Sequence, residues 1–397
     1  MANAPWRHDN VACRPAVAHI TRTCFLHVGA NKTGSTSIQQ ALFFDLRDRG
    51  FQYVGGGRPN GSFAVSAMFN PFPENEWFFK RAGVAGRFDD YRRRIAQQFQ
   101  RGLTRATRHG RHAIVSSEAC WQSSRPGLLN LRRYLVDAGF EVRVVAYVRP
   151  WVPWSNSLFQ QMVKSGRGRL AVGLAQDGFI FSVRERLDDL FSVFGRANVA
   201  VYRFTPIDFP DRCVVRHFCE QIRMPVPSGR TWRVNESLSL PAMQLLYAFN
   251  RCSGLGGEDR VPRAPGLDRL VRRLRTLRGP AFRLHSSFLS DWLRERSRED
   301  EWLAANVGFP LSDVPPPDDE YSVRREADLF RFTPETREWL ADKVGQPVVR
   351  LPDGEAAAGA IAAQVDMLRR RGRTAREQLV AFRDGVRNAW IRGRDAC

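Results

Sequence analysis

Lysine is scarce in this 397-residue chain: of 61 basic residues only Lys32, Lys80, Lys164 and Lys343 are lysines. So strong an arginine bias reflects composition, and a lysine in a special place is correspondingly informative. Cysteine is sparse too. Seven thiols, at 13, 24, 120, 213, 219, 252 and 397, form no CxxC pair and give an odd total. This excludes a zinc framework and a disulfide scaffold and fits a reducing, cytoplasmic setting. The seven histidines show no HExxH spacing, so no metal site is read. No apolar run approaches the roughly 18–20 residues that span a bilayer. Residues 1–22 lack the continuous apolar core of a signal peptide and read as a tail.

What is present is globular. With 43% apolar and 26% charged residues the chain is not disordered as a whole, and its length fits one large domain or two ordinary ones. The formal charge of +20 favours polyanionic partners, whether nucleic acid, acidic glycan or phosphorylated cofactor, without choosing among them. Strand-like runs appear at 23–28 (TCFLHV), 51–54 (FQYV), 112–117, 142–148 (VRVVAYV) and 198–204 (NVAVYRF). Helical spacing separates them at 36–49, 86–111, 127–138, 153–164 and 182–194. That alternation predicts an α/β fold: a P-loop-like three-layer arrangement, a mostly parallel central sheet flanked by helices. After 235 the strand signal fades into helices at 236–251, 267–275, 285–306 and 334–344, which predicts a helical C-terminal extension. The expected boundaries are a tail (1–22), an α/β core (23–250), a helical part of the same domain or an insertion (251–350), and a basic helical tail (351–397).

The densest chemistry lies between the first strand and the first helix, in Gly29-Ala-Asn-Lys-Thr-Gly-Ser-Thr-Ser37. A glycine-bearing loop at a helix start offers backbone N–H groups at the positive end of the dipole, an anion cradle. Lys32 adds a point charge; Thr33, Ser35, Thr36 and Ser37 add hydroxyls. The segment is not a Walker A loop, because Lys32 precedes Gly34 by two instead of following the last glycine. No acidic magnesium ligand ends the strand at 112–117, which weakens a kinase or NTPase reading.

FLHVGANKTGSTSIQQAL resembles the 5′-phosphosulfate-binding loop of sulfotransferases that use 3′-phosphoadenosine 5′-phosphosulfate (PAPS), above all the bacterial and carbohydrate-type members. Asn31 stands where proline is usual in that family, and Ser35 where threonine is common. The resemblance implies that Asn31, Lys32, Thr33, Gly34, Ser35 and Thr36 hold the 5′-phosphosulfate. A second family signature reads the 3′-phosphate with an arginine at a strand end and a serine eight positions on, here Arg149 and Ser157. A guanidinium fork and a helical hydroxyl suit that phosphate. RVNESLS resembles a later part of bacterial members, in which Arg233, Asn235 and Ser237 close over the nucleotide.

Glu118 follows the strand at 112–117 and is the candidate general base, taking the acceptor's proton as the acceptor attacks sulfur. The plainer alternatives are a helix cap or an arginine partner. His27 lies inside a strand and is expected to be packed; His112 begins one and is expected to be exposed. Trp121 has two readings, sugar stacking or core. The resemblance implies sulfuryl transfer from PAPS to a hydroxyl, or less readily an amine, on a glycan or small metabolite. It implies no metal: Lys32 neutralises charge on the leaving phosphate. The rivals are a nucleotide kinase or NTPase of related fold, and a basic nucleic-acid- or glycan-binding protein with an inactive nucleotide pocket. The second is motivated by the arginine clusters at 86–111 and 367–393, though nucleic acid is not the expected partner.

Overall fold

A computed structural model describes residues 22–30, 32–73, 79, 87–166, 182–228, 237–252, 266–312 and 319–371. They fall into two compact units, one holding 22–149 and 182–228, the other 150–166 and 237–371.

The first unit is built on five parallel strands: β1 (Thr23–Gly29), β2 (Phe51–Tyr53), β3 (His112–Ser116), β4 (Glu141–Val148) and β5 (Val199–Arg203), in the order β2-β3-β1-β4-β5. β1 is buried along its whole length and β4 almost so, as expected for strands covered on both faces. The period of two sorts their side chains. Phe25, Val145 and Tyr147 join Ile38 and Leu42 of α1 (Ser35–Asp45) and Val215 and Phe218 of a later helix, Val214–Gln221, in one apolar cluster. The helices α2 (Ser62–Phe69), α3 (Phe88–Arg108), α4 (Ala119–Gln122), α5 (Arg125–Asp137) and α7 (Val183–Phe194) belong with the opposite side of the sheet. The second-unit helix between the last two, α6, spans Trp151–Lys164, and Val214–Gln221 is α8. This is the α/β class expected from the alternation of patterns.

Local chemistry sets several boundaries. The α5 start is fixed by Ser124, whose hydroxyl accepts from Gly127 N, with proline in the first turn. Ser182 caps α7 in the same way, accepting from Glu185 N. α1 stops at Asp45, four residues before the expected end, because Leu46 turns to an extended conformation. α2 was not expected: its run SFAVSAMF is too uniformly apolar to show a helical stripe.

The second unit is mainly helical. α9 (Leu240–Cys252) is buried over nearly its whole circumference, and α14 (Glu355–Arg370) lies along it through Ala357, Ala358, Ile361 and Val365. Between them come α10 (Leu267–Leu274), α11 (Ser286–Glu295), α12 (Ser297–Val307), α13 (Pro334–Val344) and the short parallel pair β6 (Arg283–Leu284) and β7 (Ser322–Val323). The single helix expected over 285–306 is two, broken at Arg296. Several buried polar groups are matched: Asn250 Nδ2 donates to Val163 O (2.7 Å), the Tyr247 hydroxyl to Glu326 (2.6 Å), and Arg337 to Phe332, Val349 and Leu351 carbonyls and Asp353. No helix of the described residues is long and apolar enough to cross a membrane.

Phe218, fully buried between α1 and the sheet, anchors the α8 side. Phe218→Ala is expected to cost the first unit about 3–5 kcal/mol, read as a lower urea midpoint with unchanged slope. A shift under a tenth of that would show that α8 does not support the sheet.

Candidate functional site

In a parallel sheet the C-terminal strand edge is where ligands sit. The register Gly29↔Tyr147, His27↔Ser116 and Val148↔Arg203 brings the ends of β1, β3, β4 and β5 to one edge. From that edge leave the loop 30–34, Ser117-Glu118 and Arg149.

The loop is contorted by necessity. A Cβ on Gly29 would lie 2.0 Å from Ser35 Oγ and 2.9 Å from Thr33 Oγ1, so only glycine lets the chain fold back over the strand end. Lys32 is left-handed (φ 72°), as is Gly34 (φ 75°, ψ 14°). A non-glycine residue there carries roughly 1–2 kcal/mol of strain. Two bonds hold it: Thr33 Oγ1 donates to Ala30 O (2.6 Å), and Arg149 Nη1 donates to Lys32 O (2.7 Å). Left-handed residues alternating with others turn successive N–H groups inward as an anion nest. Gly34 is also the N-cap of α1, and no side chain caps that end. The Ser35 and Thr36 amides that open α1 have no intrahelical partner and add to the nest, whereas Ser37 N is already bonded to Gly34 O (2.9 Å).

Polar side chains converge here without being used up. Ser35 is buried, and its hydroxyl makes no hydrogen bond of normal geometry; Arg149 Nε is buried without a partner while its guanidinium stacks on Phe204 at 5.4 Å. Burial lowers the Arg149 pKa to about 10, so it stays charged at neutral pH. Burial also brings Lys32 down to about 8; Glu118 opposes that shift and Arg149 adds to it. Glu118 is the mirror case. Burial raises its pKa, while the nearby Ser35 hydroxyl and the Lys32 charge pull it back. An acid–base pair with its two pKa values driven toward one another is suited to moving a proton near neutrality.

Glu118 occupies the N-cap of α4, but its side chain accepts no capping bond, and among the described residues no arginine pairs with it. His27 is fully buried, its Nδ1 bonded to Ser116 Oγ (2.7 Å) and its ring edge-on to Tyr147 and Phe218. Burial drives its pKa to about 3, so it is a neutral packing group, as expected. His112 departs from expectation: it is half-buried, flanked by Phe25 and Phe51, and its Nδ1 accepts from Thr23 N (3.1 Å). Trp121 is core, 5% exposed. Thr36 is half-buried on the first turn of α1. Ser157 is half-buried on α6 of the second unit. Asn31, Arg233, Asn235 and Ser237's neighbours up to 236 lie outside the described residues. Among the described residues no cluster of three or more His, Cys, Asp or Glu side chains is arranged to hold a metal ion.

Sequence reasoning missed the segment 55–62. Gly61 N donates to Ser116 O (3.1 Å), Ser62 Oγ accepts from Ala119 N (3.1 Å), and a Cβ on Gly61 would meet Ser116 O at 2.6 Å. This loop therefore brackets Glu118. The run Gly55-Gly56-Gly57 directly after the strand-like 51–54 is its sequence signal. Gln39 Nε2 reaches the same Ser116 carbonyl from α1 (3.4 Å).

The crystal structure of a sulfotransferase from Alicyclobacillus acidocaldarius is similar to this chain at 16% sequence identity and a TM-score of 0.36, over 58% of this chain and 92% of that one. No protein-family model matches the chain, and no curated protein matches it.

The neutral state of His27 is directly measurable. Its imidazole resonances are expected to stay fixed from pH 8 to pH 5. The unfolded chain takes up that proton near 6.5 and the folded one does not until about 3. Stability is therefore expected to fall as pH drops below about 6.5, at up to about 1.4 kcal/mol per pH unit from this group. Titration of His27 near pH 6 would overturn the assignment.

Proposed function

We propose that this chain is a sulfotransferase that moves a sulfuryl group from PAPS to an acceptor hydroxyl, on a carbohydrate in preference to a small metabolite. The observation that carries the reading is the left-handed Lys32–Gly34 nest at an uncapped helix start, with Glu118 near enough to Lys32 for each charge to shift the other's pKa. The residues fit such a donor: an anion cradle, a buried Ser35 hydroxyl, and a buried Arg149 Nε with no partner. When bound, the donor supplies a sulfur electrophile and a bisphosphate leaving group.

The chain's own residues then have separable tasks. The nest and the hydroxyls of Thr33, Ser35 and Thr36 orient the 5′-phosphosulfate. Lys32 meets the negative charge that grows on the phosphate side of the breaking S–O bond, a fixed electrostatic donor whose worth is greatest in the transition state. Glu118 accepts the proton from the acceptor oxygen as the new O–S bond forms. Arg149 and Ser157 read the 3′-phosphate, with Asn31, Arg233 and Asn235 completing the nucleotide site. The proposal includes a reducing, cytoplasmic setting, supported by the free thiols of Cys24, Cys120, Cys213, Cys219 and Cys252.

Titration calorimetry with adenosine 3′,5′-bisphosphate, ATP and AMP tests the reading. The bisphosphate is expected to bind at least tenfold tighter than AMP, and Arg149→Ala to remove most of that difference. ATP binding tighter than the bisphosphate would overturn the sulfotransferase reading in favour of a kinase or NTPase.

The pH profile tests the mechanism. Turnover needs Glu118 ionised and Lys32 protonated. It is expected to rise through a carboxylate pKa above the ordinary range and to fall above about pH 8, where Lys32 loses its proton. Glu118→Gln is expected to lower transfer by about 10²–10⁴-fold with bisphosphate affinity and melting temperature unchanged. Lys32→Ala is expected to cost about 10²–10³-fold. Full turnover in Glu118→Gln would remove the proposed base.

A further inference from the structure

Tyr91, at the fourth position of α3, is only 8% exposed, yet its hydroxyl is buried without a hydrogen-bond partner. Leaving such a buried hydroxyl unpaired is costly, because it loses its bonds to water and gains none in return. Two guanidiniums gather at the same residue. Arg58 is exposed on the loop after β2, 5.8 Å over the Tyr91 ring and 5.3 Å over that of Phe63. Arg94, one turn further along α3, is exposed beside it. Both arginines favour the ionised form of Tyr91, against the larger opposing effect of burial. Neither pairs with a carboxylate among the described residues, and Asp90, the nearest acid on that face of α3, is already held by Arg93. Three donors of two kinds thus meet, with no acceptor between them among the described residues.

The place of this cluster gives it meaning. Arg58 rides on the loop that Tyr53 fastens through Pro59 O and that Gly61 and Ser62 fasten to Ser116 and Ala119, on either side of Glu118. The acceptor must bring its hydroxyl to Glu118. The geometry points to a subsite for an anionic group of the acceptor, a carboxylate or a sulfate or phosphate ester, held by the Tyr91 hydroxyl and the Arg58 and Arg94 guanidiniums. A charged oxygen fits all three donors and supplies the partner that Tyr91 lacks. The proposal rests on the sulfotransferase reading for its acceptor, and it predicts an acidic acceptor where that reading names none. It also gives part of the positive surplus on the exposed side of α3 a specific task.

The test is calorimetry on the full chain, with and without saturating adenosine 3′,5′-bisphosphate, using methyl glucuronide, methyl glucoside and sodium sulfate as probes. The glucuronide is expected to bind at least tenfold tighter than the neutral glucoside. Arg58→Ala with Arg94→Ala is expected to erase that preference, Tyr91→Phe to reduce it about threefold or more, and Arg93→Ala to leave it intact. Each lost charge-assisted bond corresponds to roughly a tenfold loss. A sulfate affinity that falls in the double variant while bisphosphate is bound assigns the site to sulfate esters as well; loss of the glucuronide alone assigns it to carboxylates. Equal binding of glucuronide and glucoside, or a double variant that keeps the preference, would overturn the subsite. Bisphosphate affinity is expected to be unchanged in all three variants. Failure of the wild type to bind bisphosphate would strike the sulfotransferase reading, while the difference between wild type and double variant still reports on the subsite.

Discussion

The site depends on one backbone contortion: Lys32 held left-handed above the end of β1. The strain is tolerated because the surroundings over-determine it. Gly29 leaves room for Ser35 and Thr33 to fold over the strand, and Thr33 and Arg149 pin the carbonyls on either side of the turn. With the loop in that form its amides point inward and α1 begins without a side-chain cap. Relaxing Lys32 to an ordinary conformation would turn the nest inside out. Arg149 therefore has a structural duty as well as a proposed ligand: one guanidinium nitrogen is committed to Lys32 O, and Nε is left over.

Beneath the loop the protein is unusually aromatic and neutral. Tyr147 O accepts from Ala30 N, joining β4 to the turn, and its hydroxyl pairs with His217 Nδ1 at 2.7 Å. His217 stacks on Phe209 at 4.4 Å and is driven by burial to a pKa of about 4, and the Tyr202 hydroxyl donates to Gln221. His27 is likewise neutral. A floor without charge lies under the ionisable groups of the strand edge, Lys32, Arg149 and Glu118 among them, and burial strengthens their mutual influence. The same burial that draws Lys32 down raises Glu118, so one cause tunes both halves of the pair.

The second unit is organised differently. Its core is α9, surrounded by helices and stitched by side-chain amides that satisfy irregular backbone. Gln160 accepts from Leu238 N, Asn156 from Leu284 N, and Gln364 donates to Pro347 O. Such bonds fix segments that have too little regular pairing of their own. Trp154 stacks on Trp292, Trp151 meets Trp292 edge-on and Arg296 lies over Trp292, with Asp300 accepting from Trp151 Nε1 and from Leu311 N. The wealth of tryptophan there is accounted for by packing.

By itself the sequence determined the alternation of strands and helices, the parallel sheet that follows from it, and the glycine- and hydroxyl-rich loop that joins the first strand to the first helix. These are local properties, written in hydrophobic period and in glycine and hydroxyl spacing. It also marked His27 as packed, since a lone histidine amid a buried strand has no room to act. Tertiary structure decided the rest. Whether Glu118 caps, pairs or stands beside Lys32 turns on which strands are neighbours, and β1 lies between β3 and β4 only because the crossovers put it there. The burial of Trp121 and His112, the hidden helix α2, and the meeting of Arg58 with Tyr91 and Arg94 have the same origin. Burial and charge are properties of a neighbourhood, and residues far apart in the chain become neighbours only when the sheet has closed.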